Sequence, residues 1–535
     1  MLIYSFIQFA MVTNRMSSSS ILIKSLQNPE LYSYKVEYFK VIETHISWVL
    51  LTGLYAYKIK KPLNLGFLDF STLEKRRHYC FEELRLNSRL ATDIYLDVVA
   101  ISGTEDNPAF DDSKTVIEYA VKMRQFEPEN TFEQLLAQSR ITPEQIKQLA
   151  NTIADFHSKI KIAKADADFG SAEMVMLPVR ENFNQISQLE GIDKPDTLNH
   201  LADWSEQQYN SLLAFFNQRL QTGFIRECHG DLHLGNIALI DNKAVPFDGI
   251  DFNPTLYWID VISEIAFLIM DLQHKQRDDL AFQFLNSYLR HSGDYQGLKL
   301  LRFYLVYRAV VMAKVSAIRA SQRSSAEEHQ LDIDKYHAYL QLANNYTQTS
   351  RPTMIFMHGV SGSGKSWLSE QITRRYPIIR IRSDVERKRL HKLSALQISH
   401  SDINSGLYSQ ASSDLTYRHL LELSNVILSA HFNVIIDATF LRQQQRRLFT
   451  QLAERLKIPF LIVFTQADKR TLIQRIELRK KQQNNVSDAN QNVLKNQLDN
   501  LHPLSIKEKQ NSIAINTGKS SDLAVLWGWL ERWIL

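Results

Sequence analysis

The sequence predicts a mixed chain: an α+β N-terminal part, in which a small β-rich lobe precedes a helical lobe, followed by an α/β domain on a parallel sheet. Three observations carry this reading. Strand-like runs cluster within 33–126 around one long helical pattern. Helical periodicity dominates 130–320, broken by one short hairpin. From 353 to the end, apolar strands and helices alternate, as in a sheet covered on both faces. A length of 535 residues fits about three folding units at roughly 100–200 residues each.

Residues 1–32 read as a partly disordered N-terminal leader. The opening MLIYSFIQFAMV is apolar but lacks a basic n-region, the first positive charge being Arg15, so it does not read as a secretory signal. Strands follow at 45–53, 55–61, 95–102 and 115–126, with a helix over 73–90. The surest helices of the next lobe are 143–159, 196–221, 256–272 and 295–319, and the hairpin is IALID (237–241) with AVPFD (244–248). The polar steps SQRSSAEEHQ and NNYTQTSRP mark the main seam. This gives a first domain over 33–345, with lobes 33–126 and 127–345, a linker over 346–352 and a second domain over 353–535. Strands of the second domain are 353–359, 378–384, 433–439, 460–467 and 512–517, with helices at 364–375, 404–431 and 468–481.

Composition excludes several classes. With 44% hydrophobic and 22% charged residues, 17 glycines and 13 prolines, the chain is an ordinary globular protein rather than a disordered or collagen-like one. A net charge of +4 gives no bulk field toward nucleic acid or membrane. The basic runs 75–77, 387–389 and 479–481 are short, so there is no strong nucleic-acid signal. No run reaches the length of a membrane span. Two cysteines, Cys80 and Cys228, suit buried thiols in a reducing cytoplasm, and the 16 histidines show no zinc-binding spacing.

The most specific motif is Gly359-Val360-Ser361-Gly362-Ser363-Gly364-Lys365-Ser366, between an apolar strand and a helix. Glycines let backbone N–H groups curl round a polyphosphate at a helix N-terminus, Lys365 neutralises the β/γ oxygens, and Ser366 ligates Mg²⁺. This predicts nucleotide binding. Asp437, ending the strand VIIDAT, is either the second metal carboxylate or a cap on the next turn. In IRSDVERKRL, Asp384 either caps a helix or accepts a proton from a substrate hydroxyl, and Arg387 one turn later is placed to grip a phosphate. Arg475 and Arg479, four apart, form either a lid over the γ-phosphate or a solvated face. Through GVSGSGKS, the S-D-x-x-R of Ser383–Arg387, the D-x-T of Asp437–Thr439 and the R-x-x-x-R pair, residues 353–535 resemble the P-loop kinases related to polynucleotide kinase and zeta toxins. The resemblance implies ATP-dependent phosphorylation of a hydroxyl and names no substrate.

The first domain has its own signature: His229-Gly230-Asp231 with Asn236 five residues on, then the hairpin, then Phe247-Asp248-Gly249. That spacing supplies an Asp to orient and deprotonate an acceptor hydroxyl, and an Asn and a second Asp to hold Mg²⁺ on nucleotide phosphates. With Gly at 230, where protein kinases carry Arg, residues 33–320 resemble the aminoglycoside and choline phosphotransferases. The resemblance implies a strand Lys paired with a Glu on the lobe's helix. Lys58, with Lys60 as the alternative on the same strand face, and Glu83, with Glu82 as runner-up, fit by position. It also implies a hinge reading adenine through its backbone, for which the segment from Glu118 through Ala120 to Met123 is the candidate. Only Gly53 lies near the first hairpin, so a glycine-rich loop is missing, and 161–200 carries no acidic cluster of the kind that clamps an aminoglycoside.

Taken whole, the order of the two motifs resembles the bacterial fusion proteins described as bifunctional aminoglycoside phosphotransferase-like/ATP-binding proteins. The expectation is a phosphotransferase with two ATP and Mg²⁺ sites and a small-molecule or nucleic-acid hydroxyl as acceptor. Two alternatives stand beside it. One is a P-loop kinase regulated by a non-catalytic nucleotide-binding half. The other is a polynucleotide 5′-kinase using that half only for binding.

Overall fold

The computed structural model describes residues 18–66, 68–111, 115–166, 168–393, 409–480, 491–518 and 520–534. Its contacts divide it into two units: residues up to Gln276 together with Leu300–Thr347, and Arg277–Lys299 together with Gln348–Leu535.

The first unit begins with α1 (Ser18–Ser25) and the strands β1 (Lys40–Glu43), β2 (Ser47–Leu51) and β3 (Tyr55–Lys60), then α2 (Leu73–Asn87), β4 (Tyr95–Gly103), β5 (Pro108–Ala109) and β6 (Val116–Arg124). These strands form an antiparallel sheet in the order β1-β2-β3-β6-β4-β5. Strand alternation sorts the faces: Tyr57 and Ile59 of β3 enter an apolar cluster, so Lys58 and Lys60 face the other way. Leu22, Ile23 and Leu26 are buried in that same cluster with Trp48 and Leu50. The expected leader is therefore corrected over 18–32, where the chain is a packed part of the lobe; 1–17 lie outside the described residues.

The helical lobe contains α3 (Phe132–Ala137), α4 (Pro143–Lys159), α5 (Ala172–Gln188), α6 (Asp196–Gln221), β7 (Ile225–Glu227), the hairpin β8 (Ile237–Ile240) and β9 (Lys243–Pro246), α7 (Pro254–Tyr257), β10 (Trp258–Asp260) and α8 (Val261–His274). The continuous helix expected over 256–272 is broken, because Trp258–Asp260 pairs antiparallel with Ile225–Glu227. Asp260 then caps α8, accepting from Ile262 N at 2.8 Å, which stops the helix propagating backwards. Next come α9 (Asp278–Ser292), α10 (Leu298–Gln322) and α11 (Ala326–Thr347), the last two closing the first unit.

The second unit adds β11 (Met354–His358), α12 (Lys365–Arg375), β12 (Ile378–Arg382), α13 (Ser383–Leu390), α14 (Gln410–Ser429), β13 (Asn433–Asp437), α15 (Gln443–Leu456), β14 (Phe460–Gln466), α16 (Lys469–Lys480), α17 (Gln491–Asp499), α18 (Ile506–Gln510), β15 (Ser512–Asn516) and α19 (Ser520–Ile534). Its sheet is parallel in the order β12-β13-β11-β14-β15, with β11 central and buried throughout. From β11 the chain crosses to β12 and returns to β13 on one side, then passes to β14 and β15 on the other, and the crevice beyond the strand C-termini at such a switch is where ligands of open α/β sheets bind.

Residues 277–299, expected in the first domain, group with this second unit. The reason is visible at Asn286 of α9. Its Nδ2 donates to Ile378 O at 2.9 Å and its Oδ1 accepts from Arg380 N at 2.7 Å. The side-chain amide thus satisfies the open edge of β12, which a terminal strand otherwise leaves unpaired. Cys80 and Cys228 are buried free thiols. Among the described residues, no helix is long and apolar enough to cross a membrane.

Candidate functional site

In the first unit the strand lysines, the lobe helix and the two acidic loops converge. Lys58 Nζ lies 2.7 Å from Glu83 Oε1 and 2.7 Å from Asp248 Oδ1. Lys60 Nζ, two residues on and on the same strand face, lies 2.8 Å from Glu83 Oε2 and 2.6 Å from Asp251 Oδ2. The pairing that sequence left open between Lys58 and Lys60 is therefore shared: both hold Glu83, and Lys58 alone of the two also reaches Asp248. Glu82 instead pairs with Arg85 at 2.8 Å.

Two ammonium groups here face three carboxylates, Glu83 and Asp251 buried and Asp248 partly so, and that imbalance sets the titration. Burial pulls the Asp248 carboxyl up, but Lys58 overrides it and holds the group well below the usual range. Burial likewise pulls Glu83 up, and the two lysines bring it below its ordinary value. Asp251 takes the remainder: burial raises it to about 6 despite Lys60, with Glu83 adding to the rise.

The catalytic-loop candidates meet a few residues away. Asn236 Nδ2 donates to Asp231 Oδ2 at 2.9 Å, to Asp231 O at 3.1 Å and to Asp248 O at 3.4 Å, so Asp231, Asn236 and Asp248 form one cluster. Asp248 sits at φ 58, a left-handed conformation uncommon for non-glycine residues. Its N–H donates to the Tyr95 hydroxyl at 3.1 Å, and Asn87 Oδ1 accepts from Gly249 N at 2.7 Å. The loop itself rests on α8. Glu264 accepts from His229 N at 2.7 Å and Gly230 N at 2.8 Å, and Asp271 accepts from Leu234 N at 2.9 Å. Burial lowers the His229 pKa, so the ring is neutral. It donates through Nε2 to Phe247 O at 2.9 Å and accepts from Asp231 N through Nδ1 at 3.3 Å. Gly230 adopts φ +86, and a Cβ there would lie 2.8 Å from the Leu256 carbonyl oxygen. A larger residue at 230 is sterically excluded.

A cavity of about 360 Å³ opens on this cluster, bounded by Lys58 and Asp248 on one side and by Met123–Phe126 on another, with apolar walls from Val49, Leu51, Ala56 and Ile94. This corrects the expected hinge. Glu118 and Ala120 lie inside β6, whose residues pair on one side with β4 and on the other with β3, Ala120 facing both Ile59 and Val99. Glu118 is also held by Arg76, with Nε 2.8 Å from Oε2. The part of this segment that lines the cavity is 123–126, the last two residues of β6 and the two that follow it out of the sheet. The covering turn between β1 and β2 holds no glycine; Thr44 N donates to Ser47 O at 2.9 Å, and Ser47 N donates to Thr44 Oγ1 at 2.9 Å. Gly53 lies in the next turn, at φ 93.

In the second unit the phosphate loop joins β11 to α12. Gly364 stands at the head of α12 with φ +95, and a Cβ there would lie 2.7 Å from Thr517 Cγ2. Ser363 Oγ is 2.7 Å from Thr465 Oγ1, and Gly359 N donates to Thr439 O at 3.1 Å, tying the loop to β14 and to the segment just after β13. Lys365 Nζ donates to Val360 O at 2.8 Å, and Ser361 N donates to Gln497 Oε1 at 2.7 Å. Val360 packs in an apolar cluster with Leu472 and Ile476 of α16.

Asp437 ends β13 in register with Arg382 of β12. Its Oδ2 accepts from Arg380 at 2.7 Å, and Arg382 Nε lies 3.5 Å away. Burial alone would raise this carboxyl, but Arg380 and Arg382 lower it to about 2. Asp384 stands in the first turn of α13 and Arg387 one turn on, where its Nε donates to Thr416 Oγ1 at 3.4 Å. The lid expectation is corrected for Arg475, which donates to Gly362 O at 3.3 Å and Thr517 Oγ1 at 2.7 Å and so braces the phosphate loop. The Arg479 side chain lies outside the described residues.

Sequence reasoning missed Glu264, Asp271, Asn87, Asp251, Arg380 and Gln497. Each acts by holding a loop or a charge from a distant segment, and no local motif announces that. The donor sets suit Mg²⁺: Asn236 commits its amide nitrogen to Asp231 and so keeps its side-chain carbonyl oxygen as a ligand atom, Asp248 adds a carboxylate, and Ser366 and Asp437 offer oxygens at the second site.

Residues 354–504 match a family model described as an AAA domain. An uncharacterized protein of Mycobacterium tuberculosis (strain ATCC 25618 / H37Rv) is 29% identical over 417 residues, covering 78% of this chain and 81% of that protein. One of Mycobacterium bovis matches to the same extent, 29% over 417 residues. Among solved structures, the choline/ethanolamine kinase family protein from Mesorhizobium loti aligns with a TM-score of 0.40 and 10% identity, covering 62% of this chain and 97% of its own. Chaetomium thermophilum Kti12 in complex with ADP-AlF3 aligns with a TM-score of 0.26 and 13% identity, covering 34% of this chain and 99% of its own. The architecture is a β-rich lobe and a helical lobe followed by an α/β domain on a parallel sheet that carries the phosphate loop, the order the sequence predicts.

Proposed function

We propose that the chain is an ATP-dependent phosphotransferase with two nucleotide sites, each passing the γ-phosphoryl group to a hydroxyl acceptor. One observation carries the reading: Lys58, Glu83, Asp231, Asn236 and Asp248, drawn from four separate segments, close into one charged cluster at the mouth of an apolar cavity. Burial pulls the Asp231 carboxyl up, yet the neighbouring His233 leaves it below its ordinary value, so it is an ionised acceptor beside the phosphate position. Asp231 orients the acceptor hydroxyl and takes its proton as the new O–P bond forms and the bond from the γ-phosphorus to the bridging oxygen breaks, releasing ADP. Lys58 holds the phosphates, and Asn236 and Asp248 would hold Mg²⁺, which when bound neutralises charge on the β- and γ-oxygens.

At the second site the phosphate loop and Lys365 bind the triphosphate, Ser366 and Asp437 would hold Mg²⁺, and Asp384 with Arg387 serve the acceptor. Opening this site requires Lys365 to leave Val360 O and Gln497 to leave Ser361 N. The reading favours small-molecule acceptors, because the basic run at 75–76 is engaged with Asp69 and Glu118, and Arg389 with Glu386.

The glycine-free turn over the first cavity favours a second reading, in which that half binds nucleotide and gates the P-loop domain without transferring phosphate. An acceptor screen with γ-labelled ATP on the full chain separates the two. Lys365→Ala is expected to remove transfer by the second site and Asp231→Asn transfer by the first, each by about 100-fold or more. A double variant that still transfers at the wild-type rate overturns both assignments. Transfer untouched by Asp231→Asn but abolished by Lys365→Ala establishes the gating reading.

A further inference from the structure

A second cavity of the first unit, about 60 Å³ against about 360 Å³ for the nucleotide cavity, lies directly against Asp231 and Gly230. Phe169, Met174, Pro178, Phe252 and Trp258 give it an apolar, largely aromatic wall, with Phe169 and Trp258 stacked at 13° and 6.0 Å. Its size suits a small acceptor. Its charges are sharply asymmetric. Asp260 is neutralised by Arg219, which donates to both carboxylate oxygens at 2.6 and 2.7 Å. Arg308 is only 6% exposed. It donates from Nε to Ser263 O at 3.2 Å and from Nη2 to Ser263 Oγ at 3.3 Å, and it lies over the Phe267 ring at 4.8 Å and the Tyr307 ring at 5.2 Å. Among the described residues no carboxylate pairs with it. Beside it, the Tyr304 hydroxyl is buried with no hydrogen-bond partner among the described residues. Burial pushes that phenol well above its ordinary pKa, so it keeps its proton as a donor.

A buried guanidinium without an anion and a buried hydroxyl without a partner are both costly unless something arrives to satisfy them. They line the same cavity as the carboxylate that orients the acceptor. We infer that the first site takes a small hydroxy compound with an apolar or aromatic body and an anionic group, a carboxylate or a phosphate, which Arg308 and Tyr304 bind while its hydroxyl meets Asp231. This rests on the transferase reading above and adds the acceptor class. A cationic acceptor is disfavoured by the same geometry, since Arg308 would repel it and Asp231 is the one lining carboxylate not already paired by an arginine.

The test uses the full-length chain with γ-labelled ATP and a panel of acceptors. Hydroxycarboxylates (3-hydroxybutyrate, mandelate), a phosphate monoester (glycerol 3-phosphate), the uncharged methyl ester of 3-hydroxybutyrate, and ethanolamine make up the panel. Anionic acceptors are expected to be preferred, and the carboxylate and phosphate arms show which anion the cavity takes. Arg308→Met should raise KM for the anionic acceptor by about ten- to a hundredfold with kcat within a few-fold, leave the ester unchanged, and be partly rescued by Arg308→Lys. Melting curves and nucleotide affinity of each variant report whether the fold is intact. Equal or better use of the ester or ethanolamine, or an equal loss for all acceptors on a folded Arg308→Met, overturns this inference while the transferase reading stands. Absence of Asp231-dependent transfer to every hydroxyl compound overturns the transferase reading at this site and the inference with it.

Discussion

In the first unit the charged groups at the proposed nucleotide cavity are side chains: Lys58 and Asp248 line it, backed by Lys60, Glu83 and Asp251, and the ion pair of Lys58 with Asp248 joins residues 190 apart in sequence. In the second unit the phosphate loop is one contiguous eight-residue segment, held by positive φ at Gly359, Gly362 and Gly364 and by the hydroxyl contact of Ser363 with Thr465. The first cradle depends on tertiary convergence and on a balance of charge; the second depends on local conformation. A side-chain cradle therefore fails when one charge is removed, and a backbone cradle fails when one conformation is denied.

Substitution at Gly364 is the strongest way to break that contrast. Gly364→Ala places a Cβ at φ +95 and 2.7 Å from Thr517 Cγ2, and is expected to lower nucleotide affinity at the P-loop site by about 100-fold or more while leaving the first cavity unaffected. Two-site titration with a fluorescent nucleotide reads both affinities at once; equal losses at both sites contradict the local character of this cradle. The two lysines sharpen the other half. Lys58→Met should reduce first-site turnover by about 100-fold, since Lys58 lines the proposed nucleotide cavity. Lys60→Met should act mainly on stability, by about 3 kcal/mol, because it strands Asp251 and half of Glu83. Steady-state assays beside denaturant melts separate the pair, and a reversed order of effects on turnover refutes the assignment.

The smallest effect concerns pH. The Asp251 carboxyl titrates near 6 in the folded chain, above its ordinary value of 3.8, because burial outweighs Lys60. A raised folded pKa stabilises below the unfolded value, and that contribution is lost as pH rises through about 6. The melting temperature of Asp251→Asn minus that of the wild type should therefore increase between pH 4.5 and pH 7.5. A flat difference removes Asp251 as the protonated member of the cluster.

How much of this was readable in the sequence differs between the two cradles for the same reason. The phosphate loop is contiguous, so residues 359–366 and their flanking strand and helix could be assigned from order alone. The spacing of Asp231, Asn236 and Asp248 was also readable, since all three lie within one loop and hairpin. The hinge was misplaced because periodicity marks a strand but not where its pairing ends, and only the ladder with β3 and β4 shows that Glu118 and Ala120 are interior to it. Arg475 read equally as a lid or a solvated face, because nothing local reveals that Gly362 and Thr517 are its partners. The packed helix at 18–25 was taken for a leader since its apolar face has meaning only against Trp48 and Leu50.

By itself, the sequence determined the order of the two folds, the local turn that can wrap a phosphate, and the residue types at each acidic loop. These follow from φ preferences, periodicity and short spacing, all of which act within a few residues. Tertiary structure alone decided that Lys58 and Lys60 share Glu83, that Asp251 carries the surplus charge, that Asn286 closes the edge of β12, and that Arg308, with no carboxylate partner among the described residues, lines one cavity with Asp231. Burial and charge pairing are properties of distant segments brought together, and the free energy of a buried charge is fixed by neighbours that the local chain does not specify.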